Sequence, residues 1–192
     1  MPTMPIRMLT ICGISELPDQ RDRSVTHVLS ILDPEHPDPE AFGAYARHHR
    51  TILRFHDIIN PIPGMILPTS RDVESILRFG DDVMNERDDG VEGHLLVHCH
   101  MGVSRSTAAM LTLLAQTNPD ESEDELFSRL VEIRPQAWPN SLMVDFADSL
   151  LGREGRLTDA LCRHYGRQIR RMPNYAQVMH DLGRGREVEM AA

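Results

Sequence analysis

Residues 94–116 read HLLVHCHMGVSRSTAAMLTLLAQ, and the fold follows from how this stretch divides. His94–His98 is a short apolar run of the kind buried in a parallel sheet, whereas Ser104–Gln116 carries its apolar residues at helical spacing. Between them, five residues separate Cys99 from Arg105. A strand passing through so short a loop into a helix puts the loop beyond the strand's carboxyl end, where open α/β sheets bind ligands. The N–H groups of such a loop converge on one point and, with the helix N-terminus, form a nest shaped for phosphate. Gly102 permits the positive φ that the curl needs. Arg105 can fork onto two phosphate oxygens, which a lysine could not do. The same positive field favours the thiolate of Cys99.

Outward from this stretch, short apolar runs alternate with helical patterns. Met8–Cys12 and Val25–Leu32 read as strands, the second closed by Asp33-Pro34. A helix is predicted over Pro39–His48 and a strand over Thr51–Phe55. Asp57–Pro68, with three prolines and a glycine, reads as a loop too long for a simple turn. Thr69 opens a helix with Asp72 in an approximate capping box, and Asp89-Gly90 marks a turn before the central strand. Helices follow over Ser122–Ile133 and Ser141–Leu151. Beyond Gly152 the pattern gives a helix over Leu157–Arg171 and a loosely held tail. This order predicts an α/β fold with a central, mostly parallel sheet of four to five strands and helices on both faces. Residues 1–152 read as the main domain and 153–192 as a helical appendage and tail.

Composition narrows the function. The chain has 192 residues, 41% hydrophobic and 26% charged, as in ordinary globular domains. A net charge of −9 argues against a nucleic-acid partner. No apolar run approaches membrane length and no signal-like start is seen, so the expectation is a cytoplasmic protein without a membrane partner. Its 20 basic residues are all arginine, which excludes Schiff-base lysine chemistry and a lysine phosphate loop. Cys12, Cys99 and Cys162 make neither a disulfide framework nor a paired-cysteine zinc site. His94, His98 and His100 alternate and invite a metal reading, but no second ligand cluster accompanies them. Trp138 reads as an anchor for the C-terminal helices. The acidic run Asp120–Glu125 reads as a solvated helix start. Six arginines within 153–171 read as a solvated face, with recruitment of an acidic partner or an anionic surface as the alternative.

The nine residues HCHMGVSRS (98–106) resemble the signature of the cysteine-dependent protein-tyrosine phosphatases: His-Cys, five residues, then Arg followed by Ser or Thr. Chain order resembles the compact dual-specificity branch, bacterial members included. Val25–Leu32 resembles its early strand, and Arg134–Asn140 (RPQAWPN) the Arg…Pro-Asn segment after the signature helix. The resemblance spans Met8–Leu151. It implies a phosphocysteine mechanism with Cys99 as nucleophile and Arg105 as phosphate clamp. His100, Met101, Gly102, Val103 and Ser104 would line the phosphate loop. Ser106 would donate to the departing thiolate, with His98 and Asn140 in support. The family's general acid falls on Asp57, although it lies further before Cys99 than in most compact members. Asp72 is the competitor, with a capping role already open to it. Neither metal nor cofactor is required. The implied substrate is a phosphorylated protein or a small phosphate ester. Phosphotyrosine is favoured because Arg105 is the loop's only fixed charge, beside apolar Met101 and Val103. The alternatives are a small-molecule or inositol phosphate phosphatase, and a module that binds phospho-ligands without turnover.

Overall fold

A computed structural model describes residues 6–85 and 93–192; the expected Asp89-Gly90 turn lies outside the described residues. Strands β1 (Ile6–Cys12), β2 (His27–Leu32), β3 (His49–Arg54) and β4 (Gly93–His98) form a parallel sheet in the order β1-β4-β2-β3. Cys12 and Ser30 flank His98 from the two sides, and Leu32 pairs with Arg54. All four carboxyl ends therefore meet one edge. Gly13, Asp33, Phe55 and Cys99 each follow the last residue of a strand there.

Side-chain alternation sends each strand's residues to two clusters. Ile11, Leu29, Ile31, Leu95 and Val97 face the main core. Cys12, Val28 and Leu96 face a smaller one, covered by 3₁₀ helices Ile14–Gln20 and Glu40–Ala44. The main core is built by α1 (Ser70–Asn85), α2 (Arg105–Thr117), α3 (Glu123–Ile133), α4 (Ser141–Leu150) and α5 (Arg156–Arg171). Helix α2 is buried on every side from Arg105 to Ala115, as a central helix must be. Ser122 caps α3 in a reciprocal capping box with Glu125. Asp72 accepts hydrogen bonds from the N–H and hydroxyl of Thr69 at the start of α1.

Two expectations need correction. The helix predicted over Pro39–His48 is only the short 3₁₀ turn Glu40–Ala44, after which Tyr45 is extended. Tyr45 donates its hydroxyl to the Leu17 carbonyl, and the Arg50 guanidinium stacks over the Phe42 ring at 4.1 Å. Those tertiary contacts, with Gly43 in the run, outweigh its weak helical pattern. Nor is the C-terminal tail loosely held. Helices α6 (Asn174–Asp181) and α7 (Gly185–Glu189) follow α5, and Met179, Arg184 and Glu187 are buried. Leu157, Ala160, Leu161 and Tyr165 of α5 belong to the same core as the sheet. Trp138 stacks on Tyr165 with ring centroids 4.3 Å apart.

Candidate active site

The segment from Cys99 to Arg105 curls because every carbonyl from His100 to Ser104 is held from outside. The His100 carbonyl accepts from the N–H of Ile14, and the Met101 and Gly102 carbonyls from the guanidinium of Arg134. The Val103 carbonyl accepts from the Trp138 N–H, and that of Ser104 from Ala108 and Asn140. The N–H groups of residues 101–104 make no hydrogen bond among the described residues. With the carbonyls turned out, these N–H groups are the loop's free donors, the arrangement that binds an anion. Arg134 is itself fixed by a two-point ion pair to Glu16, at 2.9 and 2.8 Å. Glu16 also accepts from the Gly13 N–H at 2.6 Å.

Cys99 is buried, with its Sγ 3.1 Å from the Ser106 Oγ. Arg105 is buried and donates through Nη1 to Asp33 Oδ1 at 2.6 Å and to the Phe55 carbonyl at 2.5 Å. Among the described residues neither its Nε nor its Nη2 has a partner. The guanidinium is therefore steered by Nη1, and its Nε/Nη2 edge is left for a bidentate acceptor. His98 bonds Ser30 Oγ through Nε2 at 2.7 Å. Burial first, then the Arg50 charge, drives its pKa down to about 3, so the ring is neutral. His100 accepts from the Asp33 N–H through Nε2, placing it beside Arg105's ion-pair partner. Burial and then the Arg105 charge lower its pKa. Met101 is 73% exposed at the rim, whereas Val103 packs against the main core.

Asp57 lies beside this loop and Asp72 does not join it. Asp57 Oδ1 takes three donors: Ser104 Oγ at 2.7 Å, Asn140 Nδ2 at 3.0 Å and Arg184 Nη1 at 3.0 Å. Oδ2 has no partner among the described residues, and the side chain is 32% exposed. Burial pushes the carboxyl pKa up. Arg184 and then Arg105, with bonds from Asn140 and Ser104, outweigh burial and hold it below the usual aspartate value. Asn140 also caps α4, its Oδ1 accepting from the Met143 N–H. The following loop closes at its base, where His56 and Ile66 bond each other through two contacts.

The three histidines that invite a metal reading are each engaged by protein groups: His94 by Thr10 and the Arg23 carbonyl, His98 by Ser30, His100 by Asp33. Cys12 faces the smaller cluster, on the other side of the sheet from Cys99, and burial raises its pKa to about 12. Sequence reasoning missed Gly13, Glu16, Asp33, Arg184 and Glu187. Asp33 carried a usable signal, since it follows a strand at the ligand-binding edge. Arg184 carried none.

No family model matches the chain, and no curated protein matches it. Solved structures do. The human tyrosine phosphatase-like serine/threonine/tyrosine-interacting protein is 17% identical with a TM-score of 0.54, the superposition covering 78% of this chain and 95% of that one. The active form of Tk-PTP is 17% identical with a TM-score of 0.52, again covering 78% and 95%. PTP-2 phosphatase from Cydia pomonella is 17% identical with a TM-score of 0.54, covering 77% and 88%. The four-stranded parallel sheet, its flanking helices and the loop after β4 thus make up the α/β fold of the protein-tyrosine-phosphatase-like structures.

Proposed function

We propose that the protein is a phosphate monoester hydrolase working through a phosphocysteine, with phosphotyrosine in proteins as its preferred substrate. The observation that carries the reading is the loop 100–104: its carbonyls are all turned outward, and the Arg105 Nε/Nη2 edge and Cys99 lie at its two ends. Such fixed donors suit the equatorial oxygens of a phosphoryl group as charge spreads over them. Cys99 Sγ attacks phosphorus, the P–O bond to the leaving oxygen breaks, and protonated Asp57 gives that oxygen its proton. Water then attacks phosphorus while Asp57 takes its proton. The S–P bond breaks, and Ser106 donates to the departing thiolate. Fold alone does not assign turnover, but one of the three neighbours above is named a phosphatase, PTP-2 from Cydia pomonella.

The preference for phosphotyrosine draws on the rim. Met101 is exposed, as are Ile62, Met65 and Ile66 on the loop that follows Asp57. Exposed apolar groups beside Cys99, with Met101 the nearest in the chain, suit a monophosphate on an aromatic body better than a polyphosphate. The test is hydrolysis of a nitrophenyl phosphate by wild type and Cys99→Ser, with acid-quench capture of phosphate on Cys99. Turnover by wild type alone is expected, and turnover by Cys99→Ser at the wild-type rate would overturn the cysteine assignment. A higher kcat/KM for soluble inositol polyphosphates than for a phosphotyrosine peptide would overturn the substrate and leave the chemistry.

A further inference from the structure

The C-terminal segment reaches into the site at one point. Arg184 is buried and lies just before α7, 127 residues along the chain from Asp57. Its Nη1 donates to both Asp57 Oδ1 and Ser104 Oγ, each at 3.0 Å. Its Nη2 donates to Glu187 Oε1 at 2.7 Å. Glu187 is in turn fixed by Trp138 Nε1 at 2.7 Å and by the Ser141 N–H at 2.8 Å. One guanidinium therefore joins a carboxylate beside the phosphate loop, a hydroxyl of that loop and the core under α4.

We propose that Arg184 is a positioning residue for the general acid: it holds Oδ1 of Asp57 against Ser104 and leaves Oδ2 to exchange the proton. This rests on Asp57 being the acid, as in the function proposed above. Three donors converge on Oδ1, so the carboxyl cannot rotate without losing all of them together. Glu187 is needed because an arginine of this length, unanchored, would not stay in one rotamer.

Arg184 also biases the proton. The charged or titratable groups facing Asp57 are Arg184 from the C-terminal segment, Arg105 from α2 and His100 from the loop; Ser104 and Asn140 are its neutral donors. A guanidinium at 3.0 Å favours the carboxylate, so acid-assisted turnover should fall away as pH rises through a low value. Removing that charge should move the descending limb of the pH–rate profile to higher pH. Loosening the carboxyl should at the same time lower kcat for a poor leaving group.

The experiment uses the full chain and three variants. Arg184→Met with Glu187→Gln removes both buried charges together, so no uncompensated carboxylate is left in the core. Arg184→Lys keeps the charge and serves as rescue. Asp57→Asn identifies the limb that belongs to Asp57 rather than to His100. With phenyl phosphate the double variant should lose about tenfold or more in kcat, with a smaller loss on nitrophenyl phosphate. Its descending limb should shift upward, while Arg184→Lys, which keeps the charge but not the second nitrogen, should hold the limb near wild type and recover only part of kcat. In parallel, the Asp57 carboxyl carbon is titrated by NMR in Cys99→Ser protein, with and without the double substitution, and its midpoint should rise with the substitution. An unchanged midpoint and limb in the folded double variant would overturn the Arg184 proposal while wild-type turnover leaves the phosphatase reading intact. Absence of turnover in wild type would overturn both.

Discussion

Gly102 shows how a single position ties the loop after β4 to the sheet. Its φ is +67°, and a Cβ there would lie 2.5 Å from the Cys12 carbonyl carbon and 2.6 Å from the Gly13 nitrogen. Those are backbone atoms at the carboxyl end of β1, which cannot swing aside as a side-chain tip can. Gly13 meets the loop from the other side, where a Cβ would lie 2.8 Å from the His100 oxygen. Placing an L-residue in the left-handed region costs about 1–2 kcal/mol before any clash. Gly102→Ala is therefore expected to lose about 2 kcal/mol or more of stability and to weaken inhibition by vanadate, because the N–H groups no longer converge. Thermal unfolding and a vanadate titration check this. A variant matching wild type in both would mean that the loop tolerates another path. At this scale Cys99, Gly102 and Arg105 were readable because the nest dictates their types at a fixed local spacing. Asp33 and the Phe55 carbonyl, which steer Arg105, directly follow β2 and β3, and nothing local to the loop announces them.

Between elements, charges that look solvated in the sequence turn out to join helices. Arg153 is buried after α4 and donates to the Ala115, Asn118 and Glu121 carbonyls and to Glu123. It thereby satisfies the end of α2, whose last carbonyls have no intrahelical donor. Arg156 adds a second bond to Glu123, and Arg163 and Arg167 pair with Asp124. Asp124, Glu125 and the arginines at 156, 163, 167, 170 and 171 are exposed, as a solvated helix start and a solvated face require, while Glu123 and Arg153 are buried as a pair. The Leu157 and Thr158 N–H groups at the start of α5 donate to buried Asp148. Arg153→Met should cost about 3 kcal/mol in urea unfolding, since carbonyls and a carboxylate lose a buried donor. A loss below about 1 kcal/mol would show that water replaces it. The strands and helices α1 to α5 were legible because each carries an apolar periodicity. Helices α6 and α7 were not, being eight and five residues long and held by a few apolar contacts such as Met179 and Val188 together with Arg184 and Glu187. In the sequence no motif or spacing singles these two charged residues out.

Taken as a whole, the molecule keeps several histidines out of water. His98 and His164 are fully buried. Burial drives the His98 pKa to about 3 and that of His164 to about 4, from a starting value of 6.5. His164 donates Nε2–H to the Ala137 carbonyl at 2.8 Å, beside the Trp138 and Tyr165 stack that joins the C-terminal segment to the sheet's core. Burial lowers the pKa of His94, also buried, in the same direction. With folded pKa values depressed, the unfolded chain binds more protons than the folded one from pH 6.5 downward. Stability is therefore fully present above about pH 6.5 and is lost as the solution is acidified. By pH 5 the loss is on the order of 2 kcal/mol for each of His98 and His164, a sizeable share of the 5–15 kcal/mol typical of a domain. Carboxylates with lowered pKa values, Asp57, Glu16 and Glu123 among them, add a further loss at lower pH with the same sign. The urea midpoint should accordingly fall steadily between pH 7 and pH 5. His164→Gln, which keeps a donor for the Ala137 carbonyl but does not titrate, should remove about half of that slope. A midpoint independent of pH over this range would show that both imidazoles gain their proton without leaving the core, and would refute the account of how the C-terminal helices are sealed onto it.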